Sequence, residues 1–316
     1  MRTYKGNTAV KKRRFVVELK RHWQMYLFLL LPVIYVFVFK YLPMAGLVIA
    51  FEDYKARTGI FESPWVGFKW FIKFFESYQF RRVLVNTLLI SFYGILAGFP
   101  FPIIFALLAN CMPDGKVKKT IQGIVTLPHF ISTTVMVGII LQIFNINTGL
   151  YGIIAQAITG HTPNNILGDP SAFRSLYVWS GIWQNFGWDS IIYTAALAGV
   201  DPTYHEAAQL DGANRFQRVI HVDFPAILPT VVIMLILRMG QVMSIGFEKI
   251  YLMQNPLNLE ASQIISTYVY EVGLSGNGVS NFSLATAIGM FNSIINLILI
   301  VTVNKIANKV GETSLW

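Results

Sequence analysis

Six apolar runs alternate with polar segments along the chain. They cover residues 25–47, 83–109, 121–144, 176–200, 226–247 and 282–303. A helix needs roughly 20 mostly apolar residues to cross a hydrocarbon layer about 30 Å thick. The pattern therefore predicts an all-α integral membrane protein with six transmembrane helices. Pro100 and Pro102 predict a kink in the second run, and Pro128 an interruption early in the third. Three sizeable linkers remain, at 50–82, 145–175 and 248–281. In the first of them Trp65, Phe68, Trp70, Phe71, Phe74 and Phe75 recur as on one helix face, with Lys69 and Lys73 between. That spacing predicts an interfacial helix lying on the outer leaflet.

Composition supports this class. Of 316 residues, 54% are apolar and 13% charged, whereas a soluble domain averages about 25% charged. The chain is thus neither disordered nor an ordinary soluble enzyme. Its formal charge of +9 would suit nucleic acid in a polar protein. In a chain this apolar, excess Lys and Arg instead flank membrane spans on the cytoplasmic side. A lone Cys111 excludes an intrachain disulfide and a cysteine zinc cluster.

An even number of spans places both termini on one side. Fifteen Lys and Arg fall on that side, eight of them in the tail 1–24, against eight on the other. The bias predicts cytoplasmic termini and a multi-pass protein of the cytoplasmic membrane. The first outer loop weakens it, since it holds Lys55, Arg57, Lys69, Lys73, Arg81 and Arg82, partly balanced by four acids. The basic tail before an apolar run has the outline of a secretory signal. The run is too long and no small-residue cleavage site follows, so it reads as a span behind a solvated or lipid-facing tail.

Catalytic signatures are missing. There is no G-x-x-x-x-G-K-[ST] phosphate loop and no H-E-x-x-H. The five histidines, His22, His129, His161, His205 and His221, are scattered; the last two share a loop at a spacing that suits no common metal pattern. Gly273-Leu274-Ser275-Gly276 does not fit a G-x-S-x-G elbow. No catalytic or metal-ligating residue is assigned, and the chain reads as a conduit, receptor or scaffold.

The densest information lies between the fourth and fifth runs, at 201–225. Asp201 suits an N-cap and Pro202 the first helical position. Glu206, Ala207 and Ala208 favour helix, and Gly212 can take the left-handed conformation that ends it. A second short helix follows, with Phe216, Val219 and Ile220 on one face and Arg215 and Arg218 near its rim. Pro225 and Pro229 mark re-entry into the membrane. The two alanines leave a smooth surface that a partner can approach closely.

Glu206-Ala207-Ala208, three residues, Gly212, nine residues, Val222, one residue, then Phe224-Pro225 resembles the EAA loop of binding-protein-dependent ABC importer permeases. Val222 and Phe224 replace the usual Ile and Leu; Asp211-Gly212-Ala213 matches the family's habit. Softer signals resemble the carbohydrate-uptake, LplB-like oligosaccharide permeases: Phe39-Lys40-Tyr41-Leu42-Pro43, Ala50-Phe51-Glu52-Asp53-Tyr54, Trp65-Val66-Gly67-Phe68 and Asn86-Thr87-Leu88.

The resemblance implies a type I ABC importer permease fold: a basic cytoplasmic tail at 1–24 and a permease domain at 25–316, with its coupling loop at 201–225. It implies that helix 202–210 docks on a separate ATPase, with Glu206, Ala207, Ala208, Asp211, Gly212 and Arg215 as coupling residues. It also implies a second homologous permease, two ATPase subunits and an extracytoplasmic solute-binding protein, in the inner membrane of a bacterium. ATP and Mg would sit on the ATPase, so this chain has no cofactor and is no enzyme. The aromatic helix of the first linker is alternatively a contact for the binding protein. Rival readings are an ABC permease for a non-sugar solute, an ion-coupled secondary transporter, which should show an internal repeat, and an intramembrane enzyme. The first differs only in cargo; the other two leave the EAA loop unexplained.

Polar residues inside spans are expensive and mark candidate pathways. The fourth run holds Trp179, Trp183, Gln184, Asn185, Trp188, Asp189 and Tyr193, broken by Gly181 and Gly187. Indoles stack on sugar C–H faces, and amides and carboxylates bond hydroxyls, so Trp183, Gln184, Asn185, Trp188 and Asp189 suit a carbohydrate substrate. An interfacial belt or packing against a partner permease suits the aromatics equally. Gln241, Ser244 and Asn292 join the candidate pathway, the last as lining or as an interhelical bond with its neighbour Asn296. Arg238 at mid-span needs Asp189, a second permease or a watery cavity.

Overall fold

Apolar runs of bilayer length do become helices, but they start, bend and stop where prolines, glycines and polar side chains dictate. The computed structural model describes residues 21–275 and 280–311; the basic tail as far as residue 20, and Gly276, lie outside them. Among the described residues the architecture is all-helical, with one isolated extended pairing, Glu52 with Trp65.

Helix α1 (Trp23–Val36) continues through a π-turn (Phe37–Tyr41) into a 3-10 segment (Leu42–Phe51). The first apolar helix thus extends past the expected end at 47. No residue of α1 is buried, which leaves its apolar surface for lipid or a neighbouring chain. Helix α2 (Lys69–Phe75) forms within the aromatic segment expected to be helical. Trp70 and Phe74 are buried in the protein, and the Trp70 indole donates to the Glu52 carbonyl at 2.9 Å. Its apolar face was legible; what covers that face is protein, with Phe68, Ile72 and Phe75 left exposed.

Helices α3 (Tyr78–Gly98) and α4 (Pro100–Asn110) form the second span, meeting at Phe99 where Pro100 and Pro102 remove backbone donors. Helix α5 (Lys116–Thr126) and a turn at Leu127–Phe130 precede α6 (Thr133–Ile143). The two halves bend by 93°, because Ile131 and Ser132 are extended after Pro128 and Ser132 caps a new helix. Linker 145–175 is not structureless: it holds α7 (Leu150–Thr159).

Helix α8 (Pro170–Ala198) has 29 residues and is capped by Asp169. At about 1.5 Å per residue it is about 43 Å long, ample for a bilayer. Among the described residues four other helices are long and apolar enough to cross, or five when the bent α5–α6 pair counts as one span; α8 is too polar to join them. It packs on α3, α4 and α5.

After α8 come α9 (Pro202–Leu210), α10 (Arg215–Arg218), a π-turn (Val219–Asp223) and α11 (Phe224–Met239). From Arg215 to Met239 the chain is one helix of 25 residues. The expected span 226–247 is therefore corrected at both ends: the helix begins outside it and stops at Met239. Among the described residues four α-helices follow, α12 (Phe247–Met253), α13 (Leu259–Ser262), α14 (Ile265–Tyr270) and α15 (Phe282–Gly311), with a π-turn (Glu271–Ser275) before the last. The third linker is not a loop but core: Ile250, Met253, Ala261 and Ile264 pack with Ile90, Ile140 and Phe173.

Candidate functional site: a polar cavity and a capped loop helix

The segment between α11 and α12 is the local key. Residues 240–246 read as a continuation of the fifth apolar run, yet they are unwound. Gly240 lies so close to α15 that a Cβ there would meet the Ile300 side chain at 2.8 Å, and a Cβ on Gly246 would meet the Tyr177 hydroxyl at 2.8 Å. Unwound backbone at membrane depth must find partners within the protein. Side chains from two spans supply them. Ser91 Oγ of α3 donates to the Val242 carbonyl. Asn296 of α15 accepts from the Met243 amide at 3.0 Å and donates to Ser244 Oγ at 2.7 Å. Asn296 is thus an interhelical bond maker, one of the two roles open to it from sequence.

This break, the bend after Pro128 and the polar face of α8 line a half-open cavity of about 680 Å3. Gln184 donates to the Ile131 carbonyl at 2.9 Å and so fixes the bend. Asn185 donates to Gly181 O at 3.0 Å, leaving its Oδ1 to accept from His129 Nδ1 at 3.0 Å. The His129 ring stacks on Trp188, centroids 4.4 Å apart. Asp189 and Arg238 form an ion pair across α8 and α11. Lys249 of α12 donates to the Tyr177 carbonyl at 3.2 Å.

Gln184, Asn185, Asp189, Gln241 and Ser244 all line the cavity. Trp183, Trp188 and Asn292 are not on its wall: Trp188 backs His129, and Asn292 keeps a buried Oδ1 without a hydrogen bond among the described residues. His129 and Lys249 are wall residues that sequence reasoning passed over. Pro128 beside His129, and the Gly240–Gly246 pair just before Lys249, were the available signals: helix breakers inside apolar runs.

In loop 201–225 the expected capped helix and its turn are present. Asp201 accepts from the Thr203 amide at 2.9 Å, and that bond holds its carboxyl below the ordinary value. Gly212 has φ +82°, and the Ala213 amide closes the helix end on the Ala208 carbonyl at 2.9 Å. Asn214 and Gln217 form a reciprocal capping box at 2.9 and 2.8 Å. Glu206, Ala207, Asp211, Gly212 and Arg215 are exposed, and Ala208 is half-buried. Leu210 is 90% exposed, and Tyr204 and Phe216 are also exposed.

One anchor was not foreseen. Asp223 is buried at the foot of α11; it faces His205 Nε2 of α9 at 3.2 Å and accepts from Asn110 Nδ2 of α4 at 3.1 Å. Pro225 and Pro229 lie within a continuous helix that begins at Arg215. A π-turn precedes Pro225 and supplies the register it needs at the start of α11.

Comparison with known proteins agrees with this architecture. The family model described as "Binding-protein-dependent transport system inner membrane component" matches residues 98–311. Protein LplB of Bacillus subtilis (strain 168) is 40% identical over 309 residues, covering 98% of this chain and 96% of that protein. The polygalacturonan/rhamnogalacturonan transport system permease protein YteP of the same strain is 38% identical over 306 residues, covering 97% and 94%. A chain in the crystal structure of a bacterial ABC transporter involved in the import of the acidic polysaccharide alginate superposes with a TM-score of 0.86 at 36% identity. The match covers 94% of this chain and 99% of that one. A second structure of a bacterial alginate transporter, in complex with an alginate pentasaccharide-bound periplasmic protein, matches equally well, covering 96% and 100%.

Proposed function

The chain belongs to the binding-protein-dependent transport system inner membrane components, a permease family rather than an enzyme family, and on that premise we propose that it is one permease half of an ATP-driven importer for oligosaccharides or polysaccharide fragments. It works with a second, homologous permease, two ABC ATPase subunits that carry ATP and Mg, and an extracytoplasmic solute-binding protein. Six spans, α8 among them, leave both termini in the cytoplasm of a bacterial cell. The relatives named for polygalacturonan and alginate transport support the cargo class.

One observation carries the coupling role. Helix α9 is closed at both ends by its own caps, pinned to α4 and α11 through Asp223, and yet presents Tyr204 and Leu210 uncovered. A rigid base with an apolar tip suits docking in a cleft on a partner. Glu206 supplies the charged contact on the same helix, and Gly212 the turn. ATP binding can shift the transport equilibrium only if the ATPases hold α9 differently in the two conformations.

The test is copurification followed by transport. Wild type should bring an ATPase with it and accumulate labelled oligosaccharide in proteoliposomes that hold the whole complex. Gly212→Val forces a β-branched residue into left-handed backbone, at about 1–2 kcal/mol. Uptake is expected to fall by about tenfold or more, with the permease pair still assembled and ATP turnover no longer answering to cargo. Uptake that persists without any ATPase would sink the proposal.

A further inference from the structure

Asp189, Arg238 and Lys249 are the aspartate, arginine and lysine side chains on the cavity wall. The first two neutralise one another. Lys249 has no carboxylate in ion-pair range among the described residues. Its neighbour Glu248 is exposed and lies 3.5 Å from the Thr134 hydroxyl. Lys249 is only 8% exposed. One of its three ammonium protons goes to the Tyr177 carbonyl at 3.2 Å, with the Tyr177 ring centroid 5.1 Å away. The other two have no acceptor among the described residues.

A buried cation without a counter-ion is costly, and more so among membrane helices. A methionine would fill the same space without that cost. The Asp189–Arg238 pair supplies no relief, since each charge is spent on the other. What the wall lacks is one negative group opposite Lys249, in a cavity lined besides by apolar side chains, amides and hydroxyls.

The geometry points to an anionic saccharide as cargo, with Lys249 receiving a sugar carboxylate of the uronic acid type. This rests on the reading of the chain as a saccharide permease. Lys249 is then a specificity-determining residue, and the closed Asp189–Arg238 pair keeps a second carboxylate from repelling the cargo. Gln184, Asn185, Gln241 and Ser244 are left to meet hydroxyls.

The experiment uses the complete importer in proteoliposomes, with oligomers of galacturonate and of mannuronate, each paired with its carboxyl-reduced counterpart. Because the same binding protein serves every variant, its own selectivity cancels in the ratio of acidic to neutral uptake. K249M is expected to lower that ratio about tenfold or more, the worth of a hydrogen bond to a charged group, while K249R keeps most of it. Should K249M fail to copurify with its partners, K249R against K249Q carries the same comparison. An unchanged ratio, with acidic and neutral cargo slowed alike, overturns the inference. Wild-type uptake confined to neutral sugars overturns it too but leaves the saccharide reading intact. Uptake of no saccharide at all overturns that reading, and this one with it.

Discussion

Asp189→Ala is expected to abolish most uptake and to lower the thermal midpoint of the purified complex by several degrees. The substitution leaves Arg238 charged and unpaired in the last turn of α11, facing the cavity. An arginine at membrane depth costs up to about 3 kcal/mol on insertion scales, and this pair is only partly covered, its side chains being 42% (Arg238) and 28% (Asp189) exposed; removing one partner leaves a lone charge that removing both does not. The double variant Asp189→Ala, Arg238→Met should therefore recover assembly and much of the midpoint. A single variant as stable as wild type, or a double variant no better than the single, would show that the pair holds nothing. Measuring midpoint and uptake together separates the structural loss from any loss of cargo contacts.

Gly187→Ala is expected to do comparable damage for a steric reason alone. At this point α8 crosses α5 so closely that a Cβ would sit 2.2 Å from the Val125 carbonyl oxygen and 2.5 Å from its carbon. Backbone cannot rotate aside as a side-chain tip can, so the helices must part. Overpacking of this kind costs about 1–3 kcal/mol, and here it also loosens the wall that α8 gives the cavity. Gly94→Ala is the control, because a Cβ there meets nothing within 4 Å. Monodisperse yield and thermal midpoint should drop for Gly187→Ala and hold for Gly94→Ala; equal behaviour of the two would contradict the close crossing.

Much of this architecture can be read from residues alone. Asp201, Pro202 and Gly212 announce a short capped helix because each does a local job that no distant contact can override, and that helix is present. Apolar runs found the helices long and apolar enough to cross a bilayer, since a bilayer-long stretch of Leu, Ile, Val and Phe has few other fates. The ends were harder. Val242, Met243, Ile245 and Phe247 are as apolar as any helix, and only side chains 50 or more residues away, Asn296 and Ser91, make the unwound alternative tolerable. Trp70 and Phe74 show the same limit: periodicity says that a face is buried, never by what. Asp223 is invisible as an anchor until His205 and Asn110 are brought to it. Lys249 looked like one more loop charge because the three helices that bury its surroundings had been read as linker.

The 25-residue helix from Arg215 to Met239 joins two places that matter. Its foot carries Asp223, clasped to α9, and its head carries Arg238 beside the cavity. At about 1.5 Å per residue the stretch from Asp223 to Arg238 is a rod about 22 Å long. Tilting such a lever about Asp223 by about 10° swings its far tip by about 4 Å, more than the length of a hydrogen bond. A small tilt imposed where α9 is clasped would therefore arrive, magnified and without intermediaries, at the charged latch on the other end.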